Sequence, residues 1–237
     1  MKNYILAFTA ILFLSSCKQQ NNETNLHITG NIKGLKQGKL YIQKQSDTSL
    51  IAIDSIIFKG NSSFEKHIKL DSPEMVYLFL DRGQTNSIDN NLPVFAEPGS
   101  INIETDNEAF FYRAKITGSE NHKIYEDYLK LKKRYTDQNL DITEKTLRAI
   151  KKQDTKLLDS LEKAAETLTK RRYLFTVNFA VNTASHEVAP FLALTEIYDA
   201  NLKYLDTIRK SMTPEVANSH YGKILNEVIK KRTNTEK

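Results

Sequence analysis

"AKITGSENHKIYEDYLKL", residues 114–131, is where the chain changes period. Up to Gly118 the apolar residues come in short bursts parted by turn formers: "LHITGNI" (26–32), "GKLYIQK" (38–44), "SLIAID" (49–54), "SIIFKG" (55–60), "MVYLFLD" (75–81) and "LPVFAEPGSINIETD" (92–106). Many alternate, as Leu40 and Ile42 do against Tyr41 and Gln43, and short runs rich in Ile, Val, Phe and Tyr read as strands. No helix-length segment interrupts them, so 26–118 is predicted to form an antiparallel sandwich or barrel rather than βαβ units.

Beyond Gly118, Ile124, Tyr128, Leu131 and Tyr135 recur at i, i+4, i+7 and i+11, one face of a helix. The pattern continues through Ile150, Leu157, Leu161, Ala164 and Leu168, and residues 119–185 contain neither Gly nor Pro. A turn is expected near Gln138-Asn139-Leu140-Asp141, because one helix of that length needs a break. A further helix is expected near Ser185, with Pro190 in its first turn, where a missing N–H does no harm. Thr213-Pro214 marks another start, and that last helix is expected to run to about Lys231. The predicted fold class is α+β: an N-terminal antiparallel β-sandwich (26–118) followed by an all-helical C-terminal segment (119–237).

With 237 residues, 40% of them hydrophobic, the chain has enough apolar surface for a substantial core. Its 34 basic and 29 acidic residues leave a net charge of +5. That surplus is too diluted by acids to make a phosphate-binding face, so nucleic acid is set aside as a partner. The charge is uneven: residues 18–118 carry 11 basic and 12 acidic groups, whereas 119–237 carry 22 and 17. Clusters such as Lys130–Arg134 and Lys170–Arg172 fit solvated helix faces better than an anion site. Trp is absent, and no cofactor is expected.

The N-terminus reads as an export signal. A basic Lys2 is followed by an apolar stretch, "YILAFTAILFL" (4–14), and by small residues Ser15-Ser16 before Cys17, the only cysteine. The apolar run, at roughly 10 residues, is too short for the ~20 that span a bilayer. Leu14-Ser15-Ser16-Cys17 resembles a bacterial lipobox, which implies a lipoprotein signal peptide over 1–16 and lipidation of Cys17. An ordinary signal peptide ending near a cysteine is the competing reading. A buried strand is opposed by the polar run 18–25, which cannot bury anything and is expected to serve as a tether. By the same resemblance several acyl chains hold the protein at the membrane, durably where one chain would not. The thiol would then be spent on lipid, leaving none for disulfide exchange.

The strand half resembles the DUF4369 domain of envelope lipoproteins of Gram-negative bacteria. The matching stretches are "ITGNIKGLKQGKLYI" (28–42), "IDSIIFKGNSSFEKHI" (53–68), "VFAEPGSINIETD" (94–106) and "ITGSENHKIYEDYL" (116–129). The resemblance implies a β-sandwich of the cell envelope. Because the run after Cys17 has no acidic stretch pointing to export onto the cell surface, a periplasm-facing position is expected, with the outer membrane favoured over the inner. In many relatives a thioredoxin-like domain with Cys-x-x-Cys follows. With Cys17 as the only cysteine that activity is not carried over, and the expected role is non-catalytic binding of an envelope partner. An accessory role beside a separate thioredoxin-like protein is the alternative.

Other chemistry has thin support. His27, His67, His122, His186 and His220 never fall within three to five residues of one another, so metal-ligand spacing is absent and no metal is expected. No serine sits in a Gly-x-Ser-x-Gly elbow. Glu126-Asp127 and Asp54 could act as paired acids only if folding joined them. Phe110, Phe111 and Tyr112 are the candidate binding residues, since strand alternation cannot bury three aromatics in a row.

Overall fold

The computed structural model describes residues 24–46, 48–83 and 87–235; the expected signal peptide, Cys17 and residues 18–23 of the expected tether lie outside them. Alternation produces eight strands among the described residues: β1 (Leu26–Lys33), β2 (Gln37–Ser46), β3 (Ser49–Lys59), β4 (Ser63–Ile68), β5 (Glu74–Asp81), β6 (Asn91–Ala96), β7 (Gly99–Asp106) and β8 (Lys115–Thr117). They form two four-stranded sheets, ordered β4-β1-β7-β8 and β3-β2-β5-β6. Ile28, Ile32, Ile101 and Ile103 from the first face Leu40, Ile42, Leu78, Leu80 and Val94 from the second, which makes a sandwich with one apolar core.

Pairing is mostly antiparallel, with one exception: β1 and β7 run parallel, Leu26 opposite Gly99 and Lys33 opposite Asp106. Strands separated by a long connection through the other sheet are free to meet in the same direction, which hairpin neighbours are not. At Gly30 a Cβ would lie 2.3 Å from the Ile103 carbonyl oxygen, so glycine is what lets these two strands close.

β3 is an edge strand. Its register against β2 shifts at Ile42/Gln43, where Ile53 is the extra residue of a bulge. Beyond it Ser49–Ile53 is exposed on both faces, so "SLIAID", legible as a strand, forms an arm rather than core.

The helical half contains α1 (Glu120–Lys152), α2 (Thr155–Asn182), α3 (Val188–Glu196), α4 (Leu202–Ser211), α5 (Pro214–Asn218) and α6 (His220–Thr235). The expected turn at 138–141 is absent: α1 is continuous for 33 residues. Asn139 and Asp141 are helix-tolerant when the chain has no Gly or Pro to stop it and a neighbouring helix to pack on. The break falls instead at Gln153, in the left-handed region (φ 55°), and Asp154, whose carboxylate caps the Leu157 N–H of α2.

α3 begins at Val188, and Pro190 sits in its first turn as expected. Thr213 caps α5 with Pro214 at the first helical position. The helix expected to follow without a break is divided at Ser219, whose hydroxyl donates to the Val216 carbonyl (2.7 Å) and accepts from the Gly222 N–H (3.3 Å). α5 folds back closely enough that a Cβ on Gly222 would stand 2.0 Å from the Val216 oxygen. No helix among the described residues is long and apolar enough to cross a membrane.

Candidate functional site

The two halves meet through the first turn of α1. Ser119 is its N-cap, accepting from the His122 N–H (3.0 Å), and its own hydroxyl donates to the Phe95 carbonyl (2.7 Å) at the end of β6. His122 Nδ1 accepts the Phe95 N–H at 3.1 Å. Burial pushes the imidazole pKa down to about 4, so the ring is neutral near pH 7, with its proton on Nε2.

The Glu97 carboxylate covers the remaining donors of the helix start, taking the N–H groups of Glu120 (2.6 Å) and Asn121 (3.3 Å) and the Asn121 amide (2.7 Å). Asn121 also reaches the start of α3, donating to Glu187 (3.1 Å) and accepting from the Val188 N–H (2.9 Å). One buried asparagine thus joins α1 to α3 and, through Glu97, to the sandwich.

Behind this polar frame lies an aromatic layer. Met75 and Phe95 on the outer face of the second sheet pack with Tyr128, Val188, Phe191 and Leu192, flanked by Tyr77, Tyr125 and Tyr221. The Tyr221 hydroxyl accepts the Met75 N–H at 3.0 Å. The Tyr128 hydroxyl lies 2.9 Å from the Thr176 hydroxyl of α2. Burial raises the phenols of Tyr77, Tyr125, Tyr128 and Tyr221, that of Tyr125 to about 12, so they remain protonated, and those of Tyr128 and Tyr221 serve as hydrogen-bonding groups. A cleft of about 620 Å³ opens beside this layer, walled by Lys44, Glu74 and Met75 of the sheet and by Leu194, His220 and Tyr221 of the helices.

Phe110, Phe111 and Tyr112 do not form a strand. They occupy the turn between β7 and β8, built by two carboxylates: Asp89 accepts the N–H groups of Phe110 and Phe111, each at 3.0 Å, and Asp106 accepts those of Glu108 and Ala109. Phe110 is in the sandwich core and cannot meet a ligand; Phe111 is half-buried against that core; Tyr112, 74% exposed, is the only accessible member of the trio. The suggested acids are engaged apart, Asp54 with Lys66 (2.9 Å) across the two sheets and Asp127 with Lys130 (3.2 Å).

The register of β1 and β4 creates a group that sequence spacing missed. His27 stands opposite His67, and Glu65, two residues along the same face of β4, stands opposite Thr29. The imidazoles stack at 4.2 Å between centroids with their planes 2° apart. Glu65 Oε1 lies 2.7 Å from His27 Nε2 and 3.5 Å from His67 Nε2. The local signal was the alternation Glu65-Lys66-His67; the third member is 40 positions away from His67 along the chain.

Sheet, bulged arm and docked helices define a β-sandwich with an integral helical segment. Residues 26–125 match the family model of DUF4369, a domain of unknown function. The match runs past the last strand into α1, as far as Tyr125, and so takes in Ser119, Asn121 and His122, whose bonds tie the helix to Phe95 and Glu97. No curated protein and no solved structure matches the chain.

Proposed function

We propose that this chain is a non-catalytic lipoprotein of the cell envelope, anchored through lipidated Cys17, facing the periplasm from the outer membrane, and acting by binding another envelope protein. The anchor is supported by Leu14-Ser15-Ser16-Cys17 and the preceding apolar run. β1 begins nine residues after Cys17, and nine extended residues reach roughly 30 Å at most. The sandwich is therefore held close to the lipid surface.

The observation that carries the binding role is the β3 arm. It presents an edge whose pairing among the described strands is with β2 alone, together with exposed Leu50, Ile51 and Ile53. An open edge with apolar side chains is a template for an added strand, so the expected partner contributes an extended, apolar segment.

Metabolic labelling with a fatty acid tests the anchor: label is expected in the wild type and lost in Cys17→Ala, and equal labelling of both sinks the lipoprotein reading. The arm is tested by co-purification from solubilised membranes. Leu50→Lys/Ile51→Lys is expected to lose bound protein while changing stability by less than about 0.5 kcal/mol, since both side chains are surface groups. An unchanged set of bound proteins would remove the arm from the proposal.

A further inference from the structure

We propose that His27, Glu65 and His67 form a binding site for a borderline divalent transition-metal ion of the Zn²⁺ class, on the outer face of the first sheet. The site stands on its own geometry and does not depend on the anchoring reading.

The two histidines are directly opposite each other on antiparallel neighbours, and Glu65 shares their face because side chains alternate with period two. All three therefore project from the same side of the sheet. One ligand atom from each lies within 4.8 Å of the other two. A tetrahedral zinc with bonds of about 2.0–2.2 Å wants its donors roughly 3.3 Å apart. The 2.7 and 3.5 Å separations from Glu65 Oε1 to the two Nε2 atoms bracket that distance. The stacked imidazoles must turn out of their parallel planes to aim both nitrogens at one ion, but the backbone pairing has already closed the 40-residue loop between the histidines.

The donor set selects the ion. Two imidazoles and one carboxylate suit Zn²⁺, Ni²⁺ and Cu²⁺, whereas Ca²⁺ and Mg²⁺ require shells of oxygen. Three protein ligands leave a coordination position open to water or to an outside donor. All three side chains retain solvent access, 32% for His27, 56% for His67 and 63% for Glu65, so that position faces bulk solvent. The adjoining surface is polar: Thr29 donates to Asn102 (3.1 Å), and the Asn102 amide donates to Glu104 (3.3 Å). A bound ion would also clip the edge strand β4 to β1, so metal binding and strand pairing should be linked.

The test is a titration of untagged full chain with Zn²⁺ in competition with a chromogenic chelator, alongside the thermal midpoint with and without Zn²⁺. One equivalent is expected to bind, the midpoint to rise with Zn²⁺, and Mg²⁺ or Ca²⁺ in large excess to leave the binding unchanged. His67→Asn, His27→Asn and Glu65→Gln are each expected to weaken binding by tenfold or more, since even partners outside the ligand shell are worth about 10–100-fold. These groups are on the surface, and an unchanged metal-free midpoint and far-ultraviolet spectrum establish that the variants fold. His186→Asn/His220→Asn is expected to bind like the wild type. The proposal is overturned if the wild type takes up no stoichiometric Zn²⁺, if the His27→Asn/His67→Asn chain binds as tightly as the wild type, or if the His186→Asn/His220→Asn control loses the ion instead.

Discussion

His122 shows how much of the junction rests on single atoms. Its Nδ1 is the partner of the Phe95 N–H, and a buried donor left without a partner costs about 1–3 kcal/mol. His122→Ala should therefore destabilise by that amount, read as a shift in the urea midpoint. His122→Asn, whose side-chain oxygen can take the acceptor position, should recover most of it. Folding lowers the ring's pKa from its ordinary 6.5 to about 4, so between those values the unfolded chain binds the extra proton. Stability is then fully present above about pH 6.5 and falls as the pH is lowered through the window, by up to about 3 kcal/mol. The Glu126 carboxylate, 3.7 Å from Nε2 and partly exposed, opposes this only weakly. The Asn variant should show a shallower pH slope over that window; equal slopes would show that other groups carry the dependence. Nothing in "SENHKIY" announced this role, because the partner atoms belong to a strand 27 residues earlier.

At the scale of the element, the α1–α2 turn separates what local pattern can locate from what it cannot. Periodicity marked helix on both sides, and the missing Gly and Pro placed the break by polarity alone, near 138–141. The chain instead turns at Gln153, a non-glycine residue in the left-handed region, followed by a side-chain cap from Asp154. An L side chain there costs about 1–2 kcal/mol relative to the right-handed region, which glycine avoids. Gln153→Gly should raise stability by about 0.5–1 kcal/mol net of the added freedom of the unfolded chain. Asp154→Ala should lower it by about 1 kcal/mol through loss of the cap. Both are read from chemical denaturation, and a Gly variant less stable than wild type would mean that Gln153 makes a contact worth more than its backbone strain. The Phe110–Tyr112 turn teaches the same lesson: three aromatics read as a strand segment, but the Asp89 and Asp106 carboxylates bend the backbone around them and send Phe110 alone into the core.

For the whole molecule, the question is whether the sandwich is a unit by itself. β5 reads as an unbroken apolar run, Met75 to Leu80, and the reason is that both of its faces are covered. Val76, Leu78 and Leu80 face the sandwich core, while Met75 and Tyr77 turn outward to the aromatic layer against α1, α3 and α6. Cutting the chain at residue 118 would strip that layer and leave Phe95, Met75 and Tyr77 in water, with the Met75 and Phe95 N–H groups unpaired. A fragment spanning 26–118 is therefore expected to bind a hydrophobic dye and to unfold at a lower denaturant concentration than residues 24–235, if it unfolds cooperatively at all. A fragment as stable as the longer chain would show the helices to be an appendage.

The sequence by itself determined the division into strands and helices, since a period of two giving way to one of 3.6 depends on neighbours a few positions apart. It also determined the Thr213-Pro214 start and the DUF4369 resemblance, both carried by contiguous residues. Only the tertiary structure decided that β1 and β7 pair in parallel, that Ile53 bulges to free an arm, that the first turn of α1 is built into the sheet, and that His27 meets Glu65 and His67. Each of these depends on strand register or on atoms tens of residues apart. A one-residue change of register would send every side chain of a strand to the opposite face, whatever its local pattern.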